Sequence, residues 1–369
     1  MMLNSDSVVH YLLQRGFLSF DSTVGGDLMV LEAPRRNRNF KVMRQRHPGL
    51  FVKQAQQWDP HAISTLQREA WCYSLAKTAP EFTPLLDLLP KFHWYDPVRN
   101  VLVLEYLSGY ENLAAYQQRM RAFPVEIAET LAEILGRYHL STRGKLETLP
   151  QASIFPKMEP WPLSMHRQKV EWFQSFSAAN LQLLEIVKKY DEFATTLDEL
   201  IKRWSRDSLI HGDIKWDNCL IRPVADSQTK SSLKLIDWEL ADIGDALWDV
   251  GAILQSYLSF WIQSMPVSPG ATAEQLMAVA PYRLEAFQPA INAFWHRYAE
   301  VAEIPPASRK ESLDRSVRYG AARMLQTAYE SLSYSAQMHS NTLYLLQMSM
   351  NILLNPEVAA EQLLGITEA

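Results

Sequence analysis

Cysteine is scarce in this sequence. Two occur among 369 residues, Cys72 and Cys219, and neither belongs to a CxxC pair. Disulfide-held secreted domains and structural zinc sites both need several cysteines or histidines at close spacing. With no HExxH motif in the chain, zinc chemistry is not expected either. A protein of a reducing compartment fits this composition.

The sequence also lacks a large charge of one sign and a long uncharged apolar run. It has 36 basic and 41 acidic residues, a formal net charge of −5, so its overall charge does not favour nucleic acid or anionic lipid. The longest apolar stretch, 247–262, contains Asp249 and Gln255 and is shorter than the roughly 18 residues that span a bilayer. The first residues, MMLNSDSVVH, lack the layout of a signal peptide. We expect a cytoplasmic protein with neither a nucleic-acid nor a membrane partner.

The chain is too long for one ordinary domain, because single cores stop growing at about 250–300 residues. Its 369 residues are 47% hydrophobic, 21% charged and 11% aromatic. This composition is close to the globular average and excludes disordered, collagen-like and coiled-coil proteins. We expect two domains with a boundary near residue 108, a smaller one over 1–107 and a larger one over 108–369.

The first hundred residues have the pattern of a β-rich domain. Five short runs rich in Val, Leu, Phe and Tyr are separated by polar, Pro and Gly clusters, which is typical of antiparallel strands. The runs are LMVLEAP, NFKVMRQ, GLFVKQ, KFHWYD and VLVLEYL. Between the third and fourth runs, 63–77 has helical apolar spacing, with Ser64 or Thr65 as a candidate N-cap. The pattern predicts a five-stranded antiparallel sheet with one main helix.

From about residue 123 the pattern is helical. Amphipathic segments predict helices over 125–140, 168–190, 193–204, 248–262, 286–301 and 312–338. Within 209–237, NCLIRP and LKLID flank a polar stretch and predict a β-hairpin set into the helical domain. The predicted fold class is therefore α+β, with a small antiparallel β domain and a large α-helical one.

Residues with the chemistry of phosphoryl transfer surround this hairpin. HGDIKWDN precedes it at 211–218, and Asp237 follows Asn218 by 19 residues, in LIDWE. Phosphoryl transfer needs a carboxylate near the acceptor hydroxyl, a cation array on the phosphates and magnesium held by a few oxygens. A strand lysine is the further requirement, and Lys53 in LFVKQ ends such a strand, with Glu69 placed 16 residues later to pair with it.

These motifs resemble those of the kinase-like superfamily that includes aminoglycoside phosphotransferases and choline kinases. HGDIKWDN is similar to the catalytic loop, IDWE to the metal-binding segment, and IGDALWDVG to the helix start that follows. The resemblance extends from about residue 24 to about residue 345, and the pairing of HGDxxxxN with IDWE and GDxxxD is specific. It implies a bilobal protein-kinase-like fold and ATP- and Mg²⁺-dependent transfer of the γ-phosphoryl group to a hydroxyl.

The resemblance also implies roles for the residues of the catalytic loop and the metal site. Asp213 would orient the attacking hydroxyl or accept its proton. Lys215 is a departure from many small-molecule members of the superfamily, and by its resemblance to the lysine that protein kinases have at this position it would contact the γ-phosphate. Asn218 and Asp237 would coordinate magnesium. Asp249 would brace the catalytic loop from the following helix.

For the nucleotide, the resemblance implies that Lys53 holds the α- and β-phosphates while Glu69 positions it. VLEYL resembles the hinge, so the backbone of Glu105 and Leu107 would contact adenine. The turn at 33–40 departs from protein kinases because it has no glycine. Its arginines, of which Arg38 is the last, are either replacements for backbone amides at the triphosphate or a solvated hairpin tip.

The acceptor is left open by the sequence. Residues 265–369 contain ten acidic residues against seven Lys or Arg, a weaker acidic excess than aminoglycoside recognition usually needs. The candidates are a small metabolite such as an amino alcohol, sugar or nucleoside, or an aminoglycoside-like compound. Lys215 also fits a Ser or Thr hydroxyl, as in tailoring kinases of lanthipeptide or thioamidated-peptide pathways. A pseudokinase that binds nucleotide without turnover is the third alternative.

Overall fold

The chain folds into two compact units that are not contiguous in sequence. The first consists of Met1–Leu113 and Asn218–Ala241, and the second of Ala114–Asp217 and Asp242–Ala369. The computed structural model describes residues 2–33, 37–56, 58–148, 152–167, 177–223, 232–266 and 272–367.

A five-stranded antiparallel sheet organises the first unit. Its strands are β1 (Leu28–Glu32), β2 (Arg38–Arg44), β3 (Leu50–Gln54), β4 (Phe92–Asp96) and β5 (Val101–Glu105). They lie in the order β1-β2-β3-β5-β4. Each predicted strand run therefore forms one strand, and the predicted five-stranded antiparallel sheet is confirmed.

Two helices precede the sheet and one is inserted in it. They are α1 (Ser5–Gln14), α2 (Phe20–Val24) and α3 (Pro60–Thr78). The buried side of α1 packs on one face of the sheet, where residues two apart on β2, β3 and β5 supply the apolar surface. Helix α1 was not predicted from the sequence.

Helix α3 begins earlier than its predicted start. Asp59 is the N-cap, and its side chain accepts hydrogen bonds from the amides of His61 and Ala62 at 2.9 and 3.0 Å. Pro60 occupies the first turn, where its fixed φ is favourable and its missing N–H costs nothing. The predicted caps Ser64 and Thr65 lie inside the helix instead.

Five further short strands lie in the described part of the chain. They are β6 (Glu111–Asn112), β7 (Ser208–Ile210), β8 (Cys219–Arg222), β9 (Ser232–Leu235) and β10 (Asp242–Gly244). The hairpin of β8 and β9 lies in the first unit, not in the helical one. It does so because β8 pairs with β6 and because the Leu235 amide donates to the Leu88 carbonyl at 2.8 Å.

The second unit is helical, with one two-stranded sheet of β7 and β10. Its helices are α4 (Leu113–Met120), α5 (Val125–Thr142), α6 (Ala178–Lys189), α7 (Asp191–Lys202), α8 (Leu247–Ser264), α9 (Ala273–Ala278), α10 (Gln288–Val301), α11 (Pro306–Ser331), α12 (Ser340–Leu354) and α13 (Pro356–Val358). The predicted helix over 312–338 ends at Ser331, and 168–176 of another lies outside the described residues. The α+β fold class is confirmed.

Helices α8 and α11 cross in close contact. A Cβ added to Gly251 of α8 would lie 2.6 Å from both the Gly320 amide nitrogen and the Ser316 carbonyl oxygen of α11, so glycine permits the approach of the two backbones. Helix α8 is the apolar stretch noted in the sequence, and nearly all of it is buried. No helix in the described ranges is long and apolar enough to cross a membrane.

Candidate active site

A buried lysine between two carboxylates forms the first charged cluster, which lies in the first unit. Lys53 Nζ, on β3, is 2.8 and 2.9 Å from the two carboxylate oxygens of Glu69 and 2.7 Å from Asp237 Oδ1. Glu69 is on the buried side of α3, one turn from buried Thr65 and Tyr73. The pairing of Lys53 with Glu69, which the sequence predicts, is thus present.

The electrostatics of this cluster keep the lysine charged. Burial alone lowers the pKa of Lys53, but the carboxylates of Glu69 and Asp237 raise it further than burial lowers it. Glu69 is completely buried, whereas 38% of the Asp237 side chain is exposed. Burial raises the pKa of Glu69 to about 7, although Lys53 acts in the opposite direction. Lys53 is therefore balanced by Asp237 at the solvent side and by a Glu69 that is partly protonated near neutral pH.

Asn218 and Asp237 lie at the same end of the hairpin formed by β8 and β9. In its register Cys219 is opposite Leu235, and the Ile236 amide donates to the Asn218 carbonyl at 3.0 Å. Asp237 follows directly and has a left-handed backbone with φ of 70°. Such a conformation costs about 1 kcal/mol or more for a residue other than glycine and is concentrated at functional sites.

The residues at this hairpin end fit magnesium. Mg²⁺ is usually held by one or two protein oxygen ligands together with substrate phosphates and water, and not by a cage of protein ligands. Asn218 and Asp237 offer one amide oxygen and one carboxylate. Within the part of the chain that the structure describes, no group of three or more His, Cys, Asp or Glu side chains is placed to hold a metal. The donor set therefore fits a magnesium ion shared with phosphates.

The catalytic-loop segment forms the second charged cluster, which lies in the second unit. It follows β7, and Gly212 has a φ of 79° at the turn. Asp249 of α8 accepts hydrogen bonds from the amide of His211 at 2.7 Å and from that of Gly212 at 3.1 Å. Burial raises the pKa of Asp249, but hydrogen bonding to His139 and the nearby histidines bring it below its usual value. An ionised Asp249 thus holds the loop, which is the bracing role that the resemblance implied.

Asp213 lies between two cations. Its Oδ2 is 2.9 Å from Lys215 Nζ, and its Oδ1 is 3.2 Å from the guanidinium of Arg323 on α11. Burial raises the pKa of Asp213, but Arg323 and then Lys215 lower it more, so the pKa lies below its usual value. Asp213 is therefore ionised at neutral pH.

The predicted nucleotide-binding residues at the hinge are Glu105, which ends β5, and Leu107, which follows it. The Glu105 amide donates a hydrogen bond to the Lys91 carbonyl at 2.9 Å, and the Tyr106 amide donates one to the Gly49 carbonyl at 2.9 Å. The next amide, that of Leu107, has no hydrogen-bond partner in the described part of the chain. A backbone donor in this position suits the predicted contact with a purine base.

Arg38 is exposed at the start of β2, and its guanidinium donates to the Leu3 carbonyl at 2.7 Å. The structure therefore shows Arg38 holding the N-terminal segment of the first unit. The other arginines of this turn, Arg35 and Arg36, lie outside the described residues.

Comparison with protein families identifies the chain. The model of the phosphotransferase enzyme family that includes aminoglycoside phosphotransferases matches residues 30–287. The chain belongs to this family. The sequence-based predictions of a kinase-like superfamily member and of an ATP-dependent phosphotransferase are confirmed at this level.

Solved structures of other phosphotransferases share the fold. Aminoglycoside 2'-phosphotransferase-IIIa, solved with GDP, covers 95% of this chain and 99% of its own, with 14% identity and a TM-score of 0.56. Choline kinase from Cryptosporidium parvum covers 98% of both chains, with 12% identity and a TM-score of 0.55. The amicoumacin kinase hAmiN covers 93% and 95%, with 10% identity and a TM-score of 0.52. At these identities the likeness concerns the fold.

A curated relative matches a shorter part of this phosphotransferase. Acyl-CoA dehydrogenase family member 10 of Mus musculus is 24% identical over 165 residues, which are 44% of this chain and 14% of that protein. The chain thus spans about a seventh of that relative's length.

Arg323 is the residue of this phosphotransferase site that the sequence did not reveal. It lies 110 residues from Asp213, in a helix that carries no recognised motif. A signal was nevertheless present, because Arg323 is a single cation in the run GAARMLQ, whose seven residues are all buried. An arginine buried among apolar residues needs a partner.

Proposed function

We propose that this phosphotransferase moves the γ-phosphoryl group of ATP to a hydroxyl of a small molecule in a magnesium-dependent reaction. The observation that carries the proposal is the buried Lys53, held by Glu69 and by Asp237. A lysine fixed in this way is a preorganised cation for phosphate oxygens, while Asp237 keeps part of its surface exposed. Family membership supports the reaction class.

Residues of the first unit would bind the nucleotide. Lys53 would neutralise the α- and β-phosphates, and the backbone at Glu105 and Leu107 would hydrogen-bond the adenine. Asn218 and Asp237 would hold magnesium, which when bound supplies positive charge to the phosphate oxygens. Because a phosphoryl transfer needs little covalent help, positioning and charge neutralisation would give most of the rate.

Asp213 would orient the acceptor hydroxyl. A general base works best when its pKa is near the operating pH, and the two cations on Asp213 move its pKa in the opposite direction. We therefore assign Asp213 to accept a hydrogen bond from the hydroxyl and to take its proton late, as the new O–P bond forms. Lys215, with a side chain that is 36% exposed, would contact the transferred phosphoryl group.

The acceptor that we propose is a small alcohol, because the structurally similar phosphotransferases named above act on choline, aminoglycosides or amicoumacin. This is a proposal by analogy of fold. A Ser or Thr hydroxyl of a ribosomally made peptide remains the alternative acceptor. The presence of Lys53, Asp213 and Asp237 argues against a pseudokinase.

The test is ADP release from ATP with a panel of hydroxyl acceptors: choline, an aminoglycoside, a sugar, a nucleoside and a Ser/Thr peptide. We expect acceptor-dependent ADP release from one of the small molecules, with loss on addition of EDTA and recovery with excess Mg²⁺. In Asp213→Asn the rate should fall by about 1000-fold, while the affinity for ATP stays unchanged.

Each alternative has its own result. Turnover with the peptide alone would replace the small-molecule acceptor by a peptide acceptor. If the wild type and Asp213→Asn bind ATP equally and neither releases ADP with any acceptor, the chain is a pseudokinase and the proposal fails.

A further inference from the structure

The guanidinium of Arg323 contacts three consecutive residues of the catalytic loop. One of its terminal nitrogens donates to Asp213 Oδ1 at 3.2 Å and to the Ile214 carbonyl at 3.1 Å. The other is 3.4 Å from the Gly212 carbonyl. Arg323 is 3% exposed. It therefore contacts both the carboxylate and the backbone that carries it.

The position of Arg323 is fixed by its surroundings. Its guanidinium lies over the Trp248 ring, with 5.7 Å to the centroid, and it donates to Gln326 at 2.9 Å. The contact of Gly251 with Gly320 lies one helical turn away on both α8 and α11. The close crossing of the two helices thus sets the distance between Arg323 and the loop.

Packing alone does not account for this arginine. Removing a charge from water costs several kcal/mol, and a buried ion pair is often no more stabilising than apolar residues of the same volume. Arg323 is surrounded on its own helix by buried Ala322, Met324 and Leu325. An apolar residue would fill the same space at less cost, so what the arginine adds is its charge and its five donors.

We propose that Arg323 is a positioning residue for phosphoryl transfer, which fixes the rotamer of Asp213 and keeps its carboxylate ionised during the reaction. This inference rests on the proposed role of Asp213 in orienting the acceptor hydroxyl. With Oδ1 held by Arg323, Oδ2, which contacts Lys215 in this structure, is the oxygen that would accept a hydrogen bond from the acceptor hydroxyl.

Of the charged groups near Asp213, Arg323 is the one that we expect to stay in contact with it during the reaction. The charged and titratable groups that act on the carboxylate include Arg323 of α11 and Lys215 and His211 of the loop itself. Glu330 of α11 acts on Lys215, and Asp249 of α8 accepts from the loop backbone. Lys215 is more exposed than Arg323, so water screens its charge more. When Lys215 contacts the phosphoryl group, Arg323 remains as the cation on Asp213.

The experiment compares the pH dependence of kcat/KM for ADP release in the wild type, Arg323→Met and Arg323→Lys, with the acceptor found in the panel. Methionine keeps the unbranched part of the side chain and loses the guanidinium with its charge and donors, whereas lysine keeps the charge. For Arg323→Met we expect a fall in kcat of about 100-fold. We also expect the acid limb of the profile, where kcat/KM falls as the pH is lowered, to shift to a pH higher by roughly one to three units. Arg323→Lys should restore the wild-type acid limb and part of the rate.

Arg318→Met is the matched control on the same helix, because Arg318 pairs with Asp314 one turn away and not with the loop. It should leave both kcat and the acid limb unchanged. An acid limb of folded Arg323→Met that coincides with the wild type would overturn the inference, whatever the change in rate.

A second measurement does not depend on turnover. In a double-mutant cycle of Arg323→Met with Asp213→Asn, followed by urea unfolding at pH 7, we expect a coupling of about tenfold or more in the unfolding equilibrium constant. If the two substitutions change the free energy of unfolding additively, Arg323 and Asp213 are not coupled and the inference is overturned. If the wild type releases no ADP, the proposed function fails, whereas the cycle still decides whether Arg323 sets the charge of Asp213.

Discussion

The two charged clusters of this phosphotransferase have opposite compositions. In the first unit one cation, Lys53, lies between two carboxylates, those of Glu69 and Asp237. In the second unit one carboxylate, that of Asp213, lies between two cations, Lys215 and Arg323. The first cluster therefore has more carboxylates than cations, and the second has more cations than carboxylates.

This difference matches the two requirements of phosphoryl transfer. A metal ion needs anionic oxygen ligands, and the transferred phosphoryl group needs cations around it. Glu69 and Asp237 share the cation Lys53, whereas Asp213 keeps one of these two cations if the other is removed.

The largest expected effect comes from removing the minority cation. Lys53→Met leaves two carboxylates without their cation, one of them fully buried, and should lower the free energy of unfolding by about 3 kcal/mol. Lys215→Met removes one of two cations on Asp213 at a partly exposed position and should cost at most about 1 kcal/mol. Urea denaturation of both variants measures the difference between the two losses in free energy of unfolding.

The control for Lys53→Met is Lys91→Met, which removes an exposed lysine from the same unit and should change stability little. Equal losses in Lys53→Met and Lys215→Met would show that the two clusters do not differ in the way described.

A smaller effect is expected at the crossing of α8 and α11, which supports the second cluster and not the first. Gly251→Ala would place a methyl group 2.6 Å from the backbone of α11 and should destabilise the protein by about 2 kcal/mol, as overpacking does. It should also lower the rate of phosphoryl transfer, because α8 and α11 would move apart and shift Asp249 and Arg323. Gln263→Ala, an exposed position on α8, should affect neither property.

The pH dependence of stability gives the smallest effect. The pKa of Asp213 is lower in the folded protein than its usual value of 3.8, so this carboxylate contributes stability above that value and loses it as the pH falls through the folded pKa. The difference in free energy of unfolding between the wild type and Asp213→Asn should be constant above about pH 5 and shrink below pH 4. Urea denaturation between pH 7 and pH 3 measures it, and a difference that grows on acidification would contradict the assignment.

The two clusters differ in how much of each could be predicted from the sequence. The pairing of Lys53 with Glu69 was predicted from a strand lysine and a helix 16 residues later, and Asp237 was predicted separately, with Asn218, as a magnesium ligand. The contact of Lys53 with Asp237 was not predicted. Arg323 was not predicted either, because its partnership with Asp213 depends on the crossing of two helices at Gly251 and Gly320, which no local pattern reports.

Two smaller differences between the prediction and the structure concern the start of α3 and the location of the hairpin of β8 and β9. Ser64 was a plausible cap by type, but Asp59, the cap five residues earlier, and Pro60 after it form a stronger helix start. The hairpin of β8 and β9 was assigned to the helical domain from its neighbours in sequence. Its position in the first unit follows from pairing with β6, a two-residue strand too short to be recognised by alternation.

The most direct test of the central claim is whether the two clusters serve one reaction. The measurement is the single-turnover rate of γ-phosphoryl transfer for Lys53→Met, Asp213→Asn and the double variant. Residues that act in the same step give strongly non-additive losses, so we predict that the double variant is only slightly slower than the slower single variant. Losses that multiply, or a single variant with the wild-type rate, would contradict the account.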